Sequence, residues 1–219
     1  SCAAGGPKGG LHHRRGLTNE ARPCGRLSGL GPGDVYGHAM PFFHTAGCVL
    51  ATLGSIQAQA AHAFLPAFEP GRMLELLERE RGTLMLGVPT MLIAMLEHPE
   101  FGKRDLSSVR AAVSGGASVP PDVVRSIEAR LGASFYIIYG QTEASPLITQ
   151  TRPDDTPEDK AFTVGQPYPQ TGVKIADPTT AEPVPVGVVG ELCTRGYLVM
   201  NEYFDKPEAT ASAIDADGW

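Results

Sequence analysis

The glycine-rich stretch at the start of the chain contains residues that suit phosphate binding. Residues 1 to 10 read Ser-Cys-Ala-Ala-Gly-Gly-Pro-Lys-Gly-Gly. Backbone N–H groups that glycine leaves accessible form a nest for anions, and Lys8 adds a positive point charge. A Walker A loop is excluded because it needs Gly-Lys-Ser/Thr at the start of a helix, whereas Pro7 precedes Lys8 here. The stretch therefore predicts a loop that wraps phosphates.

A second stretch with chemical potential is Tyr139-Gly140-Gln141-Thr142-Glu143, which follows the apolar run Phe135–Ile138. A buried strand that opens into a polar loop with one carboxylate has this pattern. A strand followed by an ordinary turn is the alternative on pattern alone. Ligands of open α/β sheets bind outside the carboxyl ends of the strands, so this loop is a candidate binding segment.

Two further loops are expected at the same edge of the sheet. Gly115-Gly116-Ala117 follows the predicted strand Val109–Ser114, and His44 follows the predicted strand Val35–Met40. Because parallel strands end at one edge, the three loops should converge there. His44 lies beside two phenylalanines and fits a hydrogen-bonded core histidine equally well.

Strands and helices alternate along the first two thirds of the chain. Proline positions and amphipathic spacing predict helices at Pro70–Arg81, Pro89–Glu97 and Pro121–Leu131. This alternation predicts βαβ units and a mostly parallel sheet. The other elements predicted here are helices over Leu11–Ser28, interrupted by Pro23, and Cys48–Ala61, with strands at Ala63–Leu65 and Thr83–Val88.

The pattern changes after Gln150. An acidic surface loop is predicted over Arg152–Asp159, and helical patterns disappear from Phe162 until a final helix, Lys206–Ile214. Short strands are predicted between them, at Val173–Ala176, Gly190–Thr194 and Tyr197–Met200. We therefore predict an α/β fold, with a mostly parallel sheet and flanking helices over residues 1–150 and a small β-rich subdomain over residues 151–219.

Composition excludes several classes of partner. The 219 residues carry a net charge of −6, and without a basic stripe no nucleic-acid partner is expected. No apolar run approaches the ~20 residues that a transmembrane helix needs. The cysteines lack metal-ligand spacing and are expected to be small buried hydrophobes or incidental thiols: Cys2, Cys24, Cys48 and Cys193.

Motifs along the whole chain resemble those of the adenylate-forming (AMP-binding) superfamily. Order and rough spacing agree throughout, and the closest resemblance is to fatty acyl-CoA synthetases of the medium-chain acyl-CoA ligase type. The matching segments are Pro7-Lys8-Gly9 (end of the phosphate loop), Pro41–His44 (Pro-x-x-His), Ser114–Ala117 (Gly-Gly-Ala), Tyr139–Glu143 (Tyr-Gly-x-Thr-Glu), Gly190–Gly196 (Gly-Glu-Leu-x-x-Arg-Gly) and Asp217-Gly218-Trp219 (start of Asp-Gly-Trp-x-x-Thr-Gly-Asp).

The resemblance implies an ATP-dependent acyl-CoA synthetase. A fatty acid or related carboxylate would attack the α-phosphate of ATP, giving acyl-AMP and diphosphate, and the thiol of coenzyme A would then displace AMP. ATP and coenzyme A are the implied co-substrates, and Mg²⁺ is the implied cation. Protein groups in such chemistry mainly position the reactants and stabilise charge.

The resemblance also implies roles for individual residues. His44, Thr142 and Glu143 would be catalytic: His44 would orient the carboxylate or gate the acyl tunnel, and Thr142 would contact phosphate. Glu143 would hold Mg²⁺, a hard cation that prefers oxygen ligands. The implied nucleotide-binding residues are Gly5 and Lys8 at the β- and γ-phosphates, Gly115, Gly116 and Ala117 beside adenine and the acyl pocket, Tyr139 stacked on adenine, and Gly140, Gln141 and Thr142.

The chain departs from the family pattern in its phosphate loop. Cys2, Ala3 and Ala4 stand where the family has glycine and two threonines. Each lost hydroxyl removes a phosphate donor, at a cost of roughly 1.5–3 kcal/mol if the site is desolvated. The chain is also expected to be a central fragment without the C-terminal lid domain, and therefore poorly active alone.

Two alternatives remain open at this stage. A nucleotide-binding remnant that has lost catalysis fits the altered phosphate loop. An α/β serine hydrolase would use Ser114, because Ala112–Gly116 is one residue from Gly-x-Ser-x-Gly, although no histidine follows Ser114. Acyl chain length, oligomeric state and compartment are not determined, with the cytoplasm favoured.

Overall fold

The computed structural model describes residues 7–219, and a seven-stranded sheet lies at their centre. Residues 7–219 form strands in this sheet and in two smaller sheets: β1 (Gly10–Leu11), β2 (Val35–His38), β3 (Ala61–Phe64), β4 (Leu84–Leu86), β5 (Ala111–Gly115), β6 (Ser134–Gly140), β7 (Leu147–Gln150), β8 (Gln166–Pro167), β9 (Thr171–Ala176), β10 (Glu191–Gly196) and β11 (Glu202–Tyr203). The strand order in the seven-stranded sheet is β3-β2-β4-β5-β6-β7-β8. The first five strands in this order, β3, β2, β4, β5 and β6, are parallel to one another. Strand β7 pairs antiparallel with β6, and β8 pairs antiparallel with β7.

Helices cover both faces of this sheet. They are α1 (Arg14–Leu27), α2 (Gly54–Ala58), α3 (Pro70–Arg79), α4 (Pro89–Glu97), α5 (Pro121–Leu131), α6 (Pro157–Phe162) and α7 (Pro207–Ala213), with a π-helix at Ala46–Leu53 and 3₁₀ turns at Phe101–Lys103 and Thr142–Ala144. Every helix from α3 to α7 begins with proline. Proline suits this position because its fixed φ is helical and its missing N–H would have no partner there.

Alternate residues of the parallel strands pack into different cores. Phe135 and Ile137 of β6 join the core formed with α3, α4 and α5. Tyr136 and Ile138 join the opposite core, formed with α1 and the π-helix. A strand that is buried on both faces reads as a continuous apolar run, which explains the sequence pattern of β6. The predicted α/β fold is thereby confirmed.

The β-rich end of the chain is also confirmed. Strands β9 and β10 form an antiparallel pair, and β11 pairs with β1 from the other end of the described chain. Leu198 is fully buried and packs with Ala144 and Ile148 in a third small core. This core fixes the β-rich part against the loop that follows β6.

Some element predictions were wrong. Tyr197–Met200 forms a turn instead of a strand, because Leu198 turns inward into the third core and Tyr197 and Val199 pack against that core. Part of the predicted acidic loop forms α6, which starts with a capping box in which Thr156 and Asp159 bond each other's backbone N–H. Helix α1 also continues through Pro23.

No helix in the described part of the chain is both long enough and apolar enough to cross a membrane.

Candidate active site

Two of the predicted loops meet at the carboxyl edge of the parallel strands. Strands β5 and β6 are neighbours, with Gly115 opposite Ile138, so the loops that follow them are adjacent. Together they border a cavity of about 680 Å³. Its wall consists of Gly116–Val119, Ile137–Gly140 and a third segment, Ala161–Gly165. The volume lies within the usual range of small-molecule sites.

The glycines of the first loop serve different purposes. A Cβ at Gly115 would lie 2.3 Å from the carbonyl oxygen of Ile138, so the close approach of β6 requires glycine there. A Cβ at Gly116 would meet no described atom within 4 Å, but φ at Gly116 is +81°, which disfavours a side chain. Gly115 thus fixes the strand spacing, whereas Gly116 and Ala117 line the cavity.

Tyr139 is well placed to offer its ring to a ligand. It lies near the end of β6 with 41% of its surface exposed and lines the cavity. Gly140 follows at a point where an added Cβ would lie 2.0 Å from the carbonyl oxygen of Pro146. The close approach of Pro146 therefore requires glycine at position 140, and the exposed Gln141 and the half-buried Thr142 follow it at the same edge.

Glu143 is held firmly within the 3₁₀ turn Thr142–Ala144. Its Oε1 accepts a hydrogen bond from the hydroxyl of Tyr203 at 2.6 Å. Its backbone oxygen accepts from the N–H of Met200 at 2.8 Å. The segment before α7 therefore supports the one carboxylate of this loop from both the main chain and the side chain.

Lys8 reaches the same neighbourhood from the start of the chain. Its Nζ lies 4.5 Å from the centre of the Tyr203 ring, the residue that hydrogen-bonds Glu143. The structure thus brings Lys8 and Glu143 to one tyrosine. Gly5 and the Ser1–Gly5 loop, including Cys2, Ala3 and Ala4, lie outside the described residues.

His44 is exposed where the chain leaves β2 and enters the π-helix. Its Nδ1 accepts a hydrogen bond from the N–H of Ala46 at 3.1 Å. His44 is therefore not a core histidine. The buried histidine of this region is His38, which has no exposed surface and whose Nε2 lies 2.5 Å from Nε2 of His62. Burial lowers the pKa of His38 to about 4, so this histidine is neutral at physiological pH.

His12 is a further neighbour of Glu143. Its Nδ1 lies 3.0 Å from Oγ of Ser145, and burial lowers its pKa while the charge of Glu143 acts in the opposite direction. The adjacent His13 is exposed, whereas His12 is half-buried. No sequence signal indicated that His12 would lie near Ser145, because 133 positions separate the two residues.

The residues fit a magnesium ion that keeps most of its ligands outside the protein. Residues 7–219 contain no cluster of three or more His, Cys, Asp or Glu side chains that would hold a metal alone. Mg²⁺ commonly takes one or two carboxylates and fills its remaining positions with water and substrate phosphates. A single positioned carboxylate such as Glu143 is compatible with that type of site.

Ser114 does not fit a hydrolase nucleophile. It is fully buried within β5, whereas a nucleophile elbow exposes its serine on a sharp turn after the strand.

Sequence reasoning missed two parts of the site. The wall formed by Ala161–Gly165 begins in the last two residues of α6, a helix that was predicted in part as loop, although Thr156 and Asp159 have the spacing of a capping box. Tyr203 is one of six tyrosines in the chain, and no local pattern distinguished it.

Comparison with known proteins identifies one family. Residues 1–204 match the AMP-binding enzyme family. The chain is 41% identical over its whole length to the putative acyl-CoA synthetase YngI of Bacillus subtilis (strain 168), and it covers 40% of that protein. It is 32% identical, again over its whole length, to the mitochondrial medium-chain acyl-CoA ligase ACSF2 of Rattus norvegicus, and covers 37% of it.

A solved structure agrees with the fold. The ternary product complex of a malonyl-CoA ligase, with methylmalonyl-CoA and AMP bound, superposes with a TM-score of 0.84 at 29% identity. The match covers 100% of this chain and 46% of that one. The chain therefore spans less than half the length of each of these proteins.

Proposed function

This chain belongs to the AMP-binding enzyme family, and from that premise we propose that its site activates a carboxylic acid with ATP in acyl-CoA synthesis. The observation that carries the proposal is the shared cavity: the glycine loop after β5 and the tyrosine loop after β6 line one space of about 680 Å³. The names of YngI and ACSF2, an acyl-CoA synthetase and a medium-chain ligase, favour a fatty acid as the substrate.

The proposed reaction has two steps. A carboxylate oxygen of the acid attacks the α-phosphorus of ATP, the α–β phosphoanhydride bond breaks, and diphosphate leaves. The thiol sulfur of coenzyme A then attacks the acyl carbon of acyl-AMP, and AMP leaves as the thioester forms. The ligase complex with AMP and methylmalonyl-CoA bound supports both nucleotide and thioester binding on this fold.

Each group of the site has a part in this proposal. Gly116, Ala117 and Tyr139 border the cavity and would hold adenine, with the exposed Tyr139 ring as the stacking surface. Lys8 would offset the negative charge of the phosphates, and Thr142 would donate its hydroxyl to them. His44, exposed after β2, would orient the incoming carboxylate. When bound at Glu143, Mg²⁺ would supply positive charge to the polyphosphate.

The test is the thermal stabilisation of the purified chain by a non-hydrolysable acyl-adenylate mimic. A ligand that binds only the folded state stabilises it by about 2.7 kcal/mol at one hundred times its dissociation constant. We expect a clear rise in melting temperature, which Tyr139→Ala strongly reduces. Val189→Ala is the matched control, because Val189 is 95% exposed and lies outside the cavity wall.

The outcomes are distinct. An unchanged melting temperature in a chain that is folded by circular dichroism would contradict the proposal. Equal shifts in Tyr139→Ala and in the wild type would show that the mimic binds elsewhere. A series of mimics with acyl chains of increasing length would then show which acids the site accepts.

A further inference from the structure

We infer that Tyr203 is a positioning residue that sets Lys8 and Glu143 relative to each other and to the phosphates of the nucleotide. The inference rests on the proposed function, because it concerns the same phosphate and magnesium groups. It assigns a role to a tyrosine in the β-rich part of the chain, 60 positions beyond Glu143.

The backbone places Tyr203 between the two ends of the site. Strand β11 pairs with β1, with Tyr203 opposite Gly10. The N–H of Phe204 donates to the carbonyl of Gly9 at 2.7 Å, next to Lys8. On the other side, the N–H of Met200 donates to the carbonyl of Glu143 at 2.8 Å. One short segment, residues 200–204, thus binds the main chain of both regions.

The side chain of Tyr203 also contacts the charged groups of both regions, Glu143 and Lys8. Its hydroxyl donates to Oε1 of Glu143 at 2.6 Å, and the residue is 6% exposed. A short hydrogen bond from a buried phenol to a carboxylate restricts the rotation of that carboxylate. Glu143 is therefore already oriented before a ligand arrives.

The ring of Tyr203 holds Lys8 by a different interaction. The ammonium nitrogen lies 4.5 Å from the ring centre, within the range of a cation–π contact. Such a contact restrains a long, flexible side chain. The same tyrosine therefore orients a positive group for phosphate and a negative group for the cation.

This arrangement predicts how each half of Tyr203 contributes to binding. Loss of the hydroxyl should disturb only Glu143, and hence only the magnesium-dependent part of nucleotide affinity. Loss of the whole ring should also release Lys8 and weaken binding with or without Mg²⁺. A tyrosine that merely fills space would not separate the two effects.

The experiment measures the dissociation constant of α,β-methylene-ATP by calorimetry on the purified chain, in Mg²⁺ and in EDTA. The probe cannot be cleaved at the bond that adenylation breaks. Tyr203→Phe is expected to raise the dissociation constant about tenfold in Mg²⁺, the equivalent of one hydrogen bond to a charged group. It should leave the value in EDTA unchanged, whereas Tyr203→Leu should weaken binding in both conditions.

Tyr168→Phe is the matched control. Tyr168 is also a buried tyrosine whose hydroxyl donates to a side-chain oxygen, that of Gln150, and it is not among the residues assigned to the site. We expect it to lower the melting temperature without changing the response to Mg²⁺. In a Glu143→Gln background, Tyr203→Phe should have no further effect, which places its action at Glu143.

The results separate this inference from the proposed function. If the wild type does not bind the probe, the proposed function fails. If the wild type binds more tightly in Mg²⁺ but Tyr203→Phe behaves like Tyr168→Phe, the role of Tyr203 is refuted while the proposed function stands. Equal weakening by Tyr203→Phe in Mg²⁺ and in EDTA would likewise refute it.

Discussion

Glu20 lies in the interior of α1 with no exposed surface. Among residues 7–219 its carboxylate oxygens make no hydrogen bond of normal geometry, although the hydroxyl of Tyr197 is close enough to interact with them and opposes part of the effect of burial. Burial raises the pKa of Glu20 to about 8 from a usual value of 4.5, so the folded protein keeps this acid protonated at neutral pH. The fold therefore depends on a carboxylic acid remaining uncharged.

This residue predicts a pH dependence of stability. Below pH 4.5 Glu20 is protonated in both the folded and the unfolded state, and its contribution to the free energy of unfolding is fully present. As pH rises toward 8, the unfolded state gains by releasing the proton, and stability falls by up to about 1.4 kcal/mol per pH unit. We expect Glu20→Gln to remove this part of the decline in urea unfolding measured from pH 5 to pH 8.

The matched control is Glu182→Gln, which changes an exposed glutamate in the same way. Its stability should follow the wild type at every pH. A Glu20→Gln variant that loses stability between pH 5 and pH 8 as steeply as the wild type would contradict the assignment.

At the scale of elements, the spacing of β5 and β6 determines the shape of the site. At Gly115 the carbonyl oxygen of Ile138 lies where a Cβ would have to be, so the spacing of the two strands there requires glycine. The loops that leave these strands line the same cavity, so any separation of the strands also moves Gly116 relative to Tyr139. Strand packing and site geometry are therefore linked at one glycine.

Gly115→Ala should consequently destabilise the protein. Insertion of a methyl group into tightly packed structure costs about 1–3 kcal/mol, because the strands must move apart. Gly102→Ala is the control, since a Cβ at Gly102 would meet no described atom within 4 Å. Denaturant unfolding of the two variants measures the difference, and equal stability would show that β5 and β6 can separate without cost.

At the scale of the whole molecule, a buried polar chain joins distant parts of the sequence. Gln150, at the end of β7, donates from Nε2 to Oγ of Ser28 at 3.0 Å and accepts from the hydroxyl of Tyr168. All three residues are buried. This chain of hydrogen bonds joins the C-terminal end of α1 to the antiparallel side of the sheet.

Gln150→Leu should destabilise the protein by about 2–4 kcal/mol, because it leaves two buried hydroxyl groups without their partner. The melting temperature and the urea midpoint measure this loss. Gln166→Leu makes the same chemical change at an exposed position in β8 and should have little effect. Similar destabilisation of both variants would show that the buried network contributes nothing specific.

The sequence by itself determined the fold class, because apolar runs, amphipathic spacing and proline positions are local features. Helices α4 and α5 have the predicted bounds for that reason. The order of strands and loops also indicated which segments share the carboxyl edge, and the motifs predicted the family. The roles of His44, Thr142 and Glu143 stay predictions.

Only the tertiary structure decided which distant residues support the site. Tyr203 and His12 lie far in sequence from the groups that they meet, Glu143 and Ser145, and the Ala161–Gly165 wall lies outside every motif; their placement follows from β1–β11 pairing and the packing of α6. Such contacts depend on where long connections bring the chain back, which no local pattern encodes. The turn at Tyr197–Met200 shows the same limit, since burial against Ala144 overrides its strand-like composition.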